Sequence, residues 1–570
     1  MTTVHDNLRS VQHRLTAAGA AFELHWVEHD GQRLPAYKNA CSSLAELVSL
    51  GRVHADKVFM VFEDERWTFS RFYAQVDALA CRLRSDFALQ PGQRVAIAMR
   101  NRPEWAVVFV AVASLGAVPA ALNSFGLGDE LLAAIGLIEP QLLFVDSERL
   151  QRISAPSAPL GCPVVLVGAE PATGSGLHAY AALCAVAANP LALPDLDPLD
   201  PALILFTSGA TSQAKGVVSG QRAVCQALYN IDFIGACAAM SSPAALQAIM
   251  QRGLPPTSLT VVPLFHVSGL HAQLLGSLRH GRRLVFMRRW EPQAALALMR
   301  QERVTQFNGA PSMVLQLLAQ PGFDDPAVVG NLSGIGFGGA GLPQRAIDEV
   351  LQRVRPSMSG VGFGLTETNG VGSAISGEGF QYRPHSAGLC SPIMQLRLVD
   401  AAGADVPIGQ PGEVWMRGVS LMQAYWRAPQ QSRQALDGGW FRSGDIGMLD
   451  AEGFLTIVDR IKDVINRAGE KIAAAEVESC LLQHPDLAEA AVIALPDADT
   501  GEAVVAIVVA RDGCAPTVSA LQAFAAARLA SYKRPQRIHI RSSSLPRNPV
   551  GKLLKQQLRD EYARDGSGIG

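Results

Sequence analysis

The sequence has almost no excess of charge of either sign. Across 570 residues, 49 Lys and Arg face 51 Asp and Glu, which leaves a formal net charge of −2. A protein that binds nucleic acid through its phosphates needs clustered positive charge. The balance therefore argues against nucleic acid as the main partner.

The sequence also lacks the patterns of metal sites, disulfide frameworks and secretion. Its nine cysteines include no CxxC pair and no histidine at metal-ligand spacing. Met1 to Arg14 contains no apolar run followed by a small-residue cleavage site. The longest apolar run, Trp105 to Leu122, contains Pro119 and is predicted to lie in a core. We expect a cytoplasmic protein without an integral membrane segment, and a homodimer is compatible with this expectation.

Short apolar runs alternate with amphipathic stretches from about residue 90 onward. This alternation predicts a parallel sheet covered by helices, and a chain of this length exceeds one hydrophobic core. Asn101 is expected to cap a helix that has Pro103 in its first turn. The predicted strands are Arg94 to Met99, Leu203 to Phe206, Leu259 to Pro263, Arg283 to Met287 and Val304 to Phe307, with a helix over Glu291 to Arg303.

The pattern changes after about residue 385, where short strands alternate with Gly- and Pro-containing turns. These strands predict a β-rich subdomain that follows the α/β core. Beyond Asp459 come two apolar strands, an Ala-rich helix and a basic tail, which predict a small α+β domain. We therefore expect an N-terminal domain over residues 1–459 and a C-terminal domain over residues 460–570.

The segment Phe206 to Gly216 follows an apolar strand and concentrates hydroxyls, glycines and one lysine, Lys215. Glycine allows backbone N–H groups to face an anion, and the lysine neutralises phosphate charge. The segment is not a Walker A loop, because Gly216 follows the lysine where that motif has Ser or Thr. Taken alone, such a loop is more often an ordinary turn.

Several later segments, in this order, resemble the motifs of the adenylate-forming enzymes, the superfamily of acyl-CoA synthetases, luciferases and peptide-synthetase adenylation domains. The resemblance covers roughly residues 50 to 560. Besides the phosphate loop, the segments are Pro263-Leu-Phe-His266, Gly362-Phe-Gly-Leu-Thr-Glu367, Trp440-Phe-Arg-Ser-Gly-Asp445, Asp459-Arg-Ile-Lys-Asp463 and Pro546-Arg-Asn-Pro-Val-Gly-Lys552.

The resemblance implies MgATP as a co-substrate and assigns roles to individual residues. It implies that Glu367 binds Mg²⁺ and that Thr366 donates to the α-phosphate. Without the resemblance, this pair could be a helix cap. It implies that His266 orients the substrate carboxylate and that Lys552 neutralises charge during adenylation. The implied nucleotide-binding residues are Thr207, Ser208, Gly209, Thr211, Lys215, Gly339, Ala340, Gly341, Phe363, Gly364, Asp445 and Arg460.

Read without the resemblance, these side chains have ordinary explanations. A Phe such as Phe363 is usually packed in a core, an Asp after Ser-Gly such as Asp445 is usually a turn residue, and His266 would be structural. Lys552 would be a solvated surface lysine. The nucleotide-binding interpretation therefore depends on the ordered set of motifs.

The implied reaction has two steps: a carboxylate attacks the α-phosphorus of ATP, and a thiol then displaces AMP. The chain contains no G-x-S-x-G elbow that would suggest a serine nucleophile instead. Lys462 matches the hinge about which the small domain of related enzymes moves between the steps. Gly469 matches the residue that lines the thiol channel, beside Ala468 where many relatives have a second glycine.

Coenzyme A is the expected thiol, which makes the chain an acyl-CoA synthetase that uses a fatty or aromatic acid. Two alternatives stay open. A ligase that loads a separate acyl carrier protein would use the same motifs. A nucleotide-binding regulatory pseudoenzyme would explain why Ala210, Ser212 and Ala214 replace the usual Thr, Gly and Pro of the phosphate loop. The expected acyl pocket comprises His266, Asn308 to Ser312, Gly336 to Gly339 and Leu365 to Gly370.

Overall fold

The computed structural model describes residues 3–29, 31–154, 160–170, 176–207, 214–338, 343–468, 470–497, 499–548 and 551–565. Its helices are α1 Val4–Thr16, α2 Leu44–Ser49, α3 Phe69–Asp86, α4 Pro103–Ser114, α5 Gly128–Ile138, α6 Ser147–Ile153, α7 Tyr180–Leu183, α8 Gln221–Ser241, α9 Pro243–Gln251, α10 Gly276–His280, α11 Pro292–Gln301, α12 Pro311–Leu318, α13 Gln344–Arg353, α14 Glu378–Tyr382, α15 Pro429–Ala435, α16 Ala474–Leu481, α17 Val518–Ala526 and α18 Lys555–Asp565.

The strands up to residue 363 are β1 Leu24–His29, β2 Gln32–Tyr37, β3 Val58–Phe62, β4 Glu65–Thr68, β5 Arg94–Ala98, β6 Val118–Ala121, β7 Leu142–Asp146, β8 Val164–Val167, β9 His178–Ala179, β10 Pro201–Thr207, β11 Lys215–Gly220, β12 Thr257–Thr260, β13 Arg283–Phe286, β14 Gln306–Gly309, β15 Gly334–Phe337 and β16 Gly360–Phe363. Those that follow are β17 Ser373–Ser376, β18 Gly388–Cys390, β19 Met394–Val399, β20 Gly412–Gly418, β21 Ala424–Tyr425, β22 Leu436–Asp437, β23 Trp440–Leu449, β24 Phe454–Arg460, β25 Ile465–Arg467, β26 Glu470–Ile472, β27 Leu487–Asp497, β28 Gly501–Ala510 and β29 Arg537–Arg541.

The first large sheet has the strand order β21-β11-β10-β6-β5-β7-β8-β9. From β10 to β9 neighbouring strands are parallel, whereas β11 is antiparallel to both β10 and β21. Strands β5 and β7 are apolar and buried, because helices cover both faces of a parallel sheet. The loops that follow β10, β6, β5 and β7 therefore share one edge, the carboxyl edge, where α/β sheets bind ligands.

The second large sheet is parallel on one side and antiparallel on the other. Strands β3, β13, β12, β14, β15 and β16 pair in parallel. Strand β17 then reverses direction, and β18, β24, β23, β20 and β19 continue the sheet in antiparallel pairs. The β-rich part predicted after residue 385 thus extends the second sheet, because β18 pairs with both β17 and β24.

The small C-terminal domain is built on its own sheet of β26, β25, β28, β27 and β29. Helices α16 and α17 pack on it through a core that includes Val477, Leu481 and Leu521. The mixed α/β fold with a large N-terminal and a small C-terminal domain agrees with the sequence prediction.

Several local predictions differ from the structure at their boundaries: the strand predicted over Val304 to Phe307 is Gln306–Gly309, and the helix predicted over Glu291 to Arg303 is Pro292–Gln301. Asn101 does not cap α4: the residue before the helix is Arg102, and the Asn101 side chain instead donates to Val262 O at 3.0 Å and accepts from Leu264 N at 2.9 Å. The same contacts explain why β12 ends at Thr260, before the predicted Pro263. Val262 and Leu264 bond to a side chain from the neighbouring sheet instead of continuing the strand.

The predicted burial of the longest apolar run is confirmed, since Trp105 and the apolar residues of α4 lie in the core. A different helix, α8, is long and apolar enough to cross a membrane by length and composition alone. Half of its most apolar window is buried against the rest of the protein. Core helices of this kind commonly meet the same criterion.

Candidate active site

The phosphate loop connects two antiparallel strands at the carboxyl edge of the first sheet. Thr207 is the last residue of β10 and pairs with Lys215, the first residue of β11. The Lys215 Nζ lies 4.6 Å from the centroid of the Tyr425 ring. Ser208, Gly209 and Thr211 lie outside the described residues, so their predicted phosphate contacts stay predictions.

Glu367 lies on a short 3₁₀ turn, Thr366–Thr368, directly after β16. The residue is 9% exposed, and Tyr425 donates its hydroxyl to Glu367 Oε1 at 2.8 Å. The Met422 N–H donates to the backbone carbonyl of Glu367 at 2.7 Å. The candidate metal carboxylate is therefore held at both its backbone and its side chain by the segment that ends in β21.

The turn that carries Glu367 also depends on glycine. A Cβ on Gly364 would lie 2.4 Å from the carbonyl oxygen of Gly370. Between them Asn369 adopts φ +55°, and the His271 Nδ1 lies 3.2 Å from its carbonyl oxygen. The close approach of the two glycines makes the turn compact, so a side chain at position 364 would have to open it.

The carboxylate of Glu367 fits a Mg²⁺ that also binds phosphate oxygens. Mg²⁺ is usually held by one or two carboxylates together with substrate phosphates. Tyr425 engages one oxygen, Oε1, and no group of three or more potential ligands occurs in the described part of the chain. Burial raises the pKa of Tyr425 further above its usual range, and the Glu367 charge adds to this effect. The tyrosine therefore stays a hydrogen-bond donor.

Asp445 and Arg460 face each other on the antiparallel strands β23 and β24. The Arg460 Nε lies 2.9 Å from Asp445 Oδ1, and the Asp445 side chain is 5% exposed. Burial raises the pKa of Asp445, while Arg460, Lys552 and Lys462 oppose that increase. A buried carboxylate with one oxygen left free of this ion pair can accept hydrogen bonds from vicinal hydroxyls.

Lys552 lies on a tight loop of the small domain that docks on the large domain. Asn548 N donates to Lys552 O at 2.8 Å, and Lys552 N donates to Asn548 Oδ1 at 2.9 Å. Gly551 has φ +84°, and a Cβ there would lie 2.7 Å from Ala310 Cβ, at the junction of β14 and α12. This close contact is what brings Lys552 to the large domain.

The ammonium group of Lys552 lies among the charged groups of the candidate site. Burial, together with repulsion by Arg460 and Lys462, lowers its pKa to about 8, although Asp445 and Glu367 oppose this shift. His266 lies close enough for the lysine to affect it: burial, together with the Lys552 charge, lowers the pKa of His266 to about 3. His266 is therefore neutral near pH 7 and can act there only as a hydrogen-bonding group.

The residues expected around the acyl group are brought together in part. A Cβ on Gly336 would lie 2.0 Å from Asn308 Oδ1, on the adjacent parallel strand. Gly370 faces Val267, since a Cβ on it would lie 3.4 Å from a Val267 methyl. Glycine at both positions keeps space between the strands and the His266 segment.

Of the residues predicted to contact adenine and the thiol channel, the structure describes Phe363. Phe363 is half-buried at the end of β16, beside Gly364. Gly339, Ala340, Gly341 and Gly469 lie outside the described residues, so the predicted adenine and thiol-channel contacts stay predictions.

The structure describes the predicted hinge residue, Lys462, and also Ala468, which precedes the predicted thiol-channel residue. Lys462 lies in a 3₁₀ turn, and its carbonyl accepts from Arg559 of α18 at 3.2 Å. Burial lowers the pKa of Lys462, and the neighbouring Arg460 adds to this effect. Ala468 adopts φ +51°, a conformation that glycine adopts more readily.

Sequence reasoning missed Tyr425, which links the candidate metal carboxylate to the lysine of the phosphate loop. Its partner Glu367 is 58 residues away in sequence. The residues around Tyr425 contain no local pattern that indicates this contact, and only the pairing of β21 with β11 places it there.

Sequence comparisons agree with this arrangement. The sequence model of the AMP-binding enzyme family matches residues 49–426, and that of the AMP-binding enzyme C-terminal domain matches residues 476–552. The indoleacetate–CoA ligase of Aromatoleum aromaticum is 31% identical over 510 residues, which are 89% of this chain and 96% of that protein. The long-chain-fatty-acid–CoA ligase FadD13 of Mycobacterium tuberculosis is 32% identical over 511 residues, 86% of this chain and 93% of that protein.

Solved structures give the same result. ATP-bound MatB from Rhodopseudomonas palustris superimposes with a TM-score of 0.79 at 25% identity, over 91% of this chain and 99% of that one. The anthranilate CoA ligase AuaEII shares the fold, with a TM-score of 0.81 at 21% identity over 92% of this chain and 98% of that one. The chain belongs to the AMP-binding enzymes, and within this adenylate-forming superfamily it is an acyl-CoA synthetase, an AMP-forming acid–thiol ligase.

Proposed function

We propose that this enzyme activates an apolar, aromatic or fatty carboxylic acid with MgATP and transfers the acyl group to coenzyme A. The observation that carries the proposal is the approach of Lys552, from the small domain, to Glu367, Asp445 and Arg460 of the large domain. No acyl-enzyme is required. The chemistry needs positioning and charge neutralisation at phosphorus.

The proposal gives each candidate residue a role. Asp445 and Arg460 bind the ribose hydroxyls, Phe363 packs on the adenine, and Glu367 binds the Mg²⁺ that neutralises phosphate charge. Thr207, Ser208, Gly209, Thr211 and Lys215 bind the departing phosphates, and Thr366 donates to the α-phosphate. Gly339, Ala340, Gly341 and Gly364 leave room for the nucleotide beside the backbone.

Lys552 neutralises the charge that develops as the carboxylate attacks the α-phosphorus. Phosphate oxygens next to the ammonium would raise its pKa again, because a nearby negative charge favours the protonated form. His266, neutral by burial, orients the carboxylate by hydrogen bonding. The small domain, residues 460–570, then moves about Lys462 and brings Gly469 to the thiol channel.

The acid is proposed from the lining of the expected pocket and from the relatives. Asn308, Gly336 and Gly370 place small or neutral groups around the space beside His266, and none of them carries a charge. The relatives named above act on indoleacetate and long-chain fatty acids. Because these relatives are named as CoA ligases, a carrier-protein ligase or a regulatory pseudoenzyme is not favoured.

A screen of carboxylic acids tests the proposal. Purified enzyme with MgATP should release pyrophosphate with at least one aromatic or fatty acid, and CoA should increase turnover with that acid. Amino acids should give no signal, since the named pocket residues offer no charge for an ammonium group. An absence of pyrophosphate with every acid, with and without CoA, would refute the proposal.

A further inference from the structure

A second cluster of positive charge lies at the carboxyl edge of the first sheet, apart from the residues assigned above. Arg100 follows β5, and its backbone N–H donates to Asp146 Oδ2, at the end of β7, at 3.2 Å. Its guanidinium lies over the ring of Phe125, which follows β6, with Cζ 3.3 Å from the ring centroid. Neighbouring parallel strands therefore bring these residues to the edge where the phosphate loop begins.

One nitrogen of the Arg100 guanidinium lacks a hydrogen-bond acceptor within the described part of the chain. Its Nη1 is buried and has no hydrogen-bond partner among the residues that the structure describes. Burial and repulsion by Arg149, Arg152 and Arg289 lower its pKa to about 10, although Glu148 opposes them. A buried donor without an acceptor is rare in folded proteins, and a bound anion would relieve both the missing bond and the repulsion.

The nearby carboxylates already have partners. Glu148 lies 3.1 Å from Arg149 Nη2 and 2.6 Å from Arg152 Nη2. Asp146 lies 2.9 Å from Arg149 Nη1 and also accepts from the backbone of that residue. Arg149 and Arg152 thus pair with the two carboxylates, whereas the Arg100 guanidinium lies over the Phe125 ring.

Ring contacts connect this cluster with the candidate active site. The Phe125 ring lies 6.1 Å from that of Phe265, which lies 4.6 Å from the ring of His266. The Asn101 side chain binds the backbone of Val262 and Leu264, on either side of Pro263, the first residue of the motif that ends at His266. The Arg100 cluster is thus separated from His266 by the packed rings of Phe125 and Phe265.

We infer that Arg100, stacked on Phe125, binds a phosphate group in the nucleotide half of coenzyme A. Arginine suits this role because its planar fork matches phosphate oxygens while its face packs on an aromatic ring. The inference rests on the proposed function, since it takes coenzyme A as the acceptor. The phosphates of ATP are the other source of the same chemistry, and the experiment separates the two.

Direct binding tests the inference without requiring turnover. CoA and pantetheine, which lacks the nucleotide and its phosphates, are titrated calorimetrically into the full-length enzyme and its variants. Arg100→Gln and Arg100→Met remove the charge, and the methionine keeps an apolar stem against Phe125. Arg100→Lys keeps the charge. Arg397→Gln, which removes a half-buried arginine that is paired with Asp405 and packed on tryptophan rings, is the matched control.

Both uncharged variants should raise the Kd for CoA about tenfold to a hundredfold, the size of one lost charge-assisted bond. Arg100→Lys should lose only part of this, and Arg397→Gln none. Binding of pantetheine should be unchanged in all variants. Equal weakening of CoA and pantetheine, or unchanged CoA binding in both uncharged variants, would overturn the inference.

Pyrophosphate exchange separates the two phosphate sources and the two proposals. The uncharged variants should keep the wild-type KM for ATP in acid-dependent exchange. A raised KM for ATP with unchanged CoA binding would assign Arg100 to ATP instead. Absence of exchange with every acid would refute the ligase function. If exchange occurs but the Arg100 variants bind CoA as the wild type does, only this inference is refuted.

Discussion

Lys552 and Asp445 carry opposite charges in the same buried region, yet burial shifts the pKa of each toward its neutral form. The pKa of Lys552 falls to about 8, and that of Asp445 rises. Their mutual attraction, and that of Arg460 for Asp445, opposes these shifts without cancelling them. The nearby carboxylates therefore do not fully compensate the positive charge of Lys552, and a bound phosphate can supply the missing negative charge.

The pKa of Lys552 predicts how adenylation depends on pH. In the free enzyme the lysine loses its charge as pH rises through about 8, so kcat/KM for acid-dependent pyrophosphate exchange should fall above that pH. Lys552→Arg, which stays charged, should lack this fall in its residual activity. A profile with the same alkaline limb in both enzymes would contradict the assignment.

Lys552 also has a predictable effect on stability. Its folded pKa of about 8 lies below the ordinary value of 10.5, so between these values the unfolded chain binds more protons. The lysine's contribution to the free energy of unfolding should therefore rise with pH across that window. Urea unfolding of the wild type and of Lys552→Met at both ends of the window measures it. An identical change with pH in both proteins would contradict the shift.

Tyr425 should control the affinity of the site for Mg²⁺. Tyr425→Phe removes the hydroxyl that bonds to Glu367 Oε1 at 2.8 Å. Losing a hydrogen bond to a charged group costs about 1.5–3 kcal/mol. The Mg²⁺ concentration that gives half-maximal activity should therefore rise about tenfold or more. Tyr229→Phe is the control, because the hydroxyl of Tyr229 donates to the surface carbonyl of Ala21. An unchanged Mg²⁺ dependence in Tyr425→Phe would remove its positioning role.

At the scale of elements, the backbone around Glu367 depends on the close packing of two glycines. Gly364→Ala would place a Cβ 2.4 Å from the carbonyl oxygen of Gly370, and overpacking of this kind costs about 1–3 kcal/mol. Gly235→Ala, at an exposed position of α8 with nothing within 4 Å of its new Cβ, should stabilise the protein by about 0.4–1 kcal/mol.

Urea unfolding together with pyrophosphate exchange checks this pair of glycine variants. Gly364→Ala should lose both stability and activity, while Gly235→Ala keeps full activity. Equal unfolding free energies in the two variants would show that the turn tolerates a side chain.

Elements whose signal is local were predicted well from the sequence. Strand β5 is an apolar run buried on both faces, and helix α11 has its Pro at the first turn, so each carries its own pattern. Strand β12 ended earlier than predicted because Asn101, in the segment between β5 and α4, bonds to the residues after it. The end of this strand depends on a contact between residues that are 161 apart in sequence. The local hydrophobic periodicity carries no information about such a contact.

The same distinction applies to the candidate site. Glu367, Asp445, Arg460 and Lys552 were found because each lies in an ordered motif, and the structure brings them together. Tyr425 and Arg100 lie in no such motif, so their importance follows only from partners on distant strands.

At the scale of the whole molecule, the site depends on how the two domains meet. Lys552 follows Gly551, which lies so close to Ala310 of the large domain that a side chain at position 551 would clash there. Arg559 holds the predicted hinge by an ion pair of 2.7 Å with Asp463. Lys552 thus lies beside Glu367 and Asp445, as the proposed adenylation step needs, and the proposed thioester step requires the small domain to move.

Separating the two half-reactions tests this dependence. Lys552→Ala should reduce acid-dependent pyrophosphate exchange about a hundredfold or more, comparable with the loss of one transition-state donor. The same variant, given synthetic acyl-adenylate and CoA, should form thioester at a rate close to that of the wild type. Equal losses in both steps would contradict a lysine that serves adenylation alone.

The identity of the products tests the central claim most directly. Enzyme incubated with ATP, Mg²⁺, CoA and an acid that passes the screen should yield acyl-CoA, AMP and pyrophosphate in equal amounts, measured by mass spectrometry and chromatography. Omission of CoA should leave enzyme-bound acyl-AMP. Formation of ADP and phosphate, or ATP consumption that does not depend on the acid, would contradict the account.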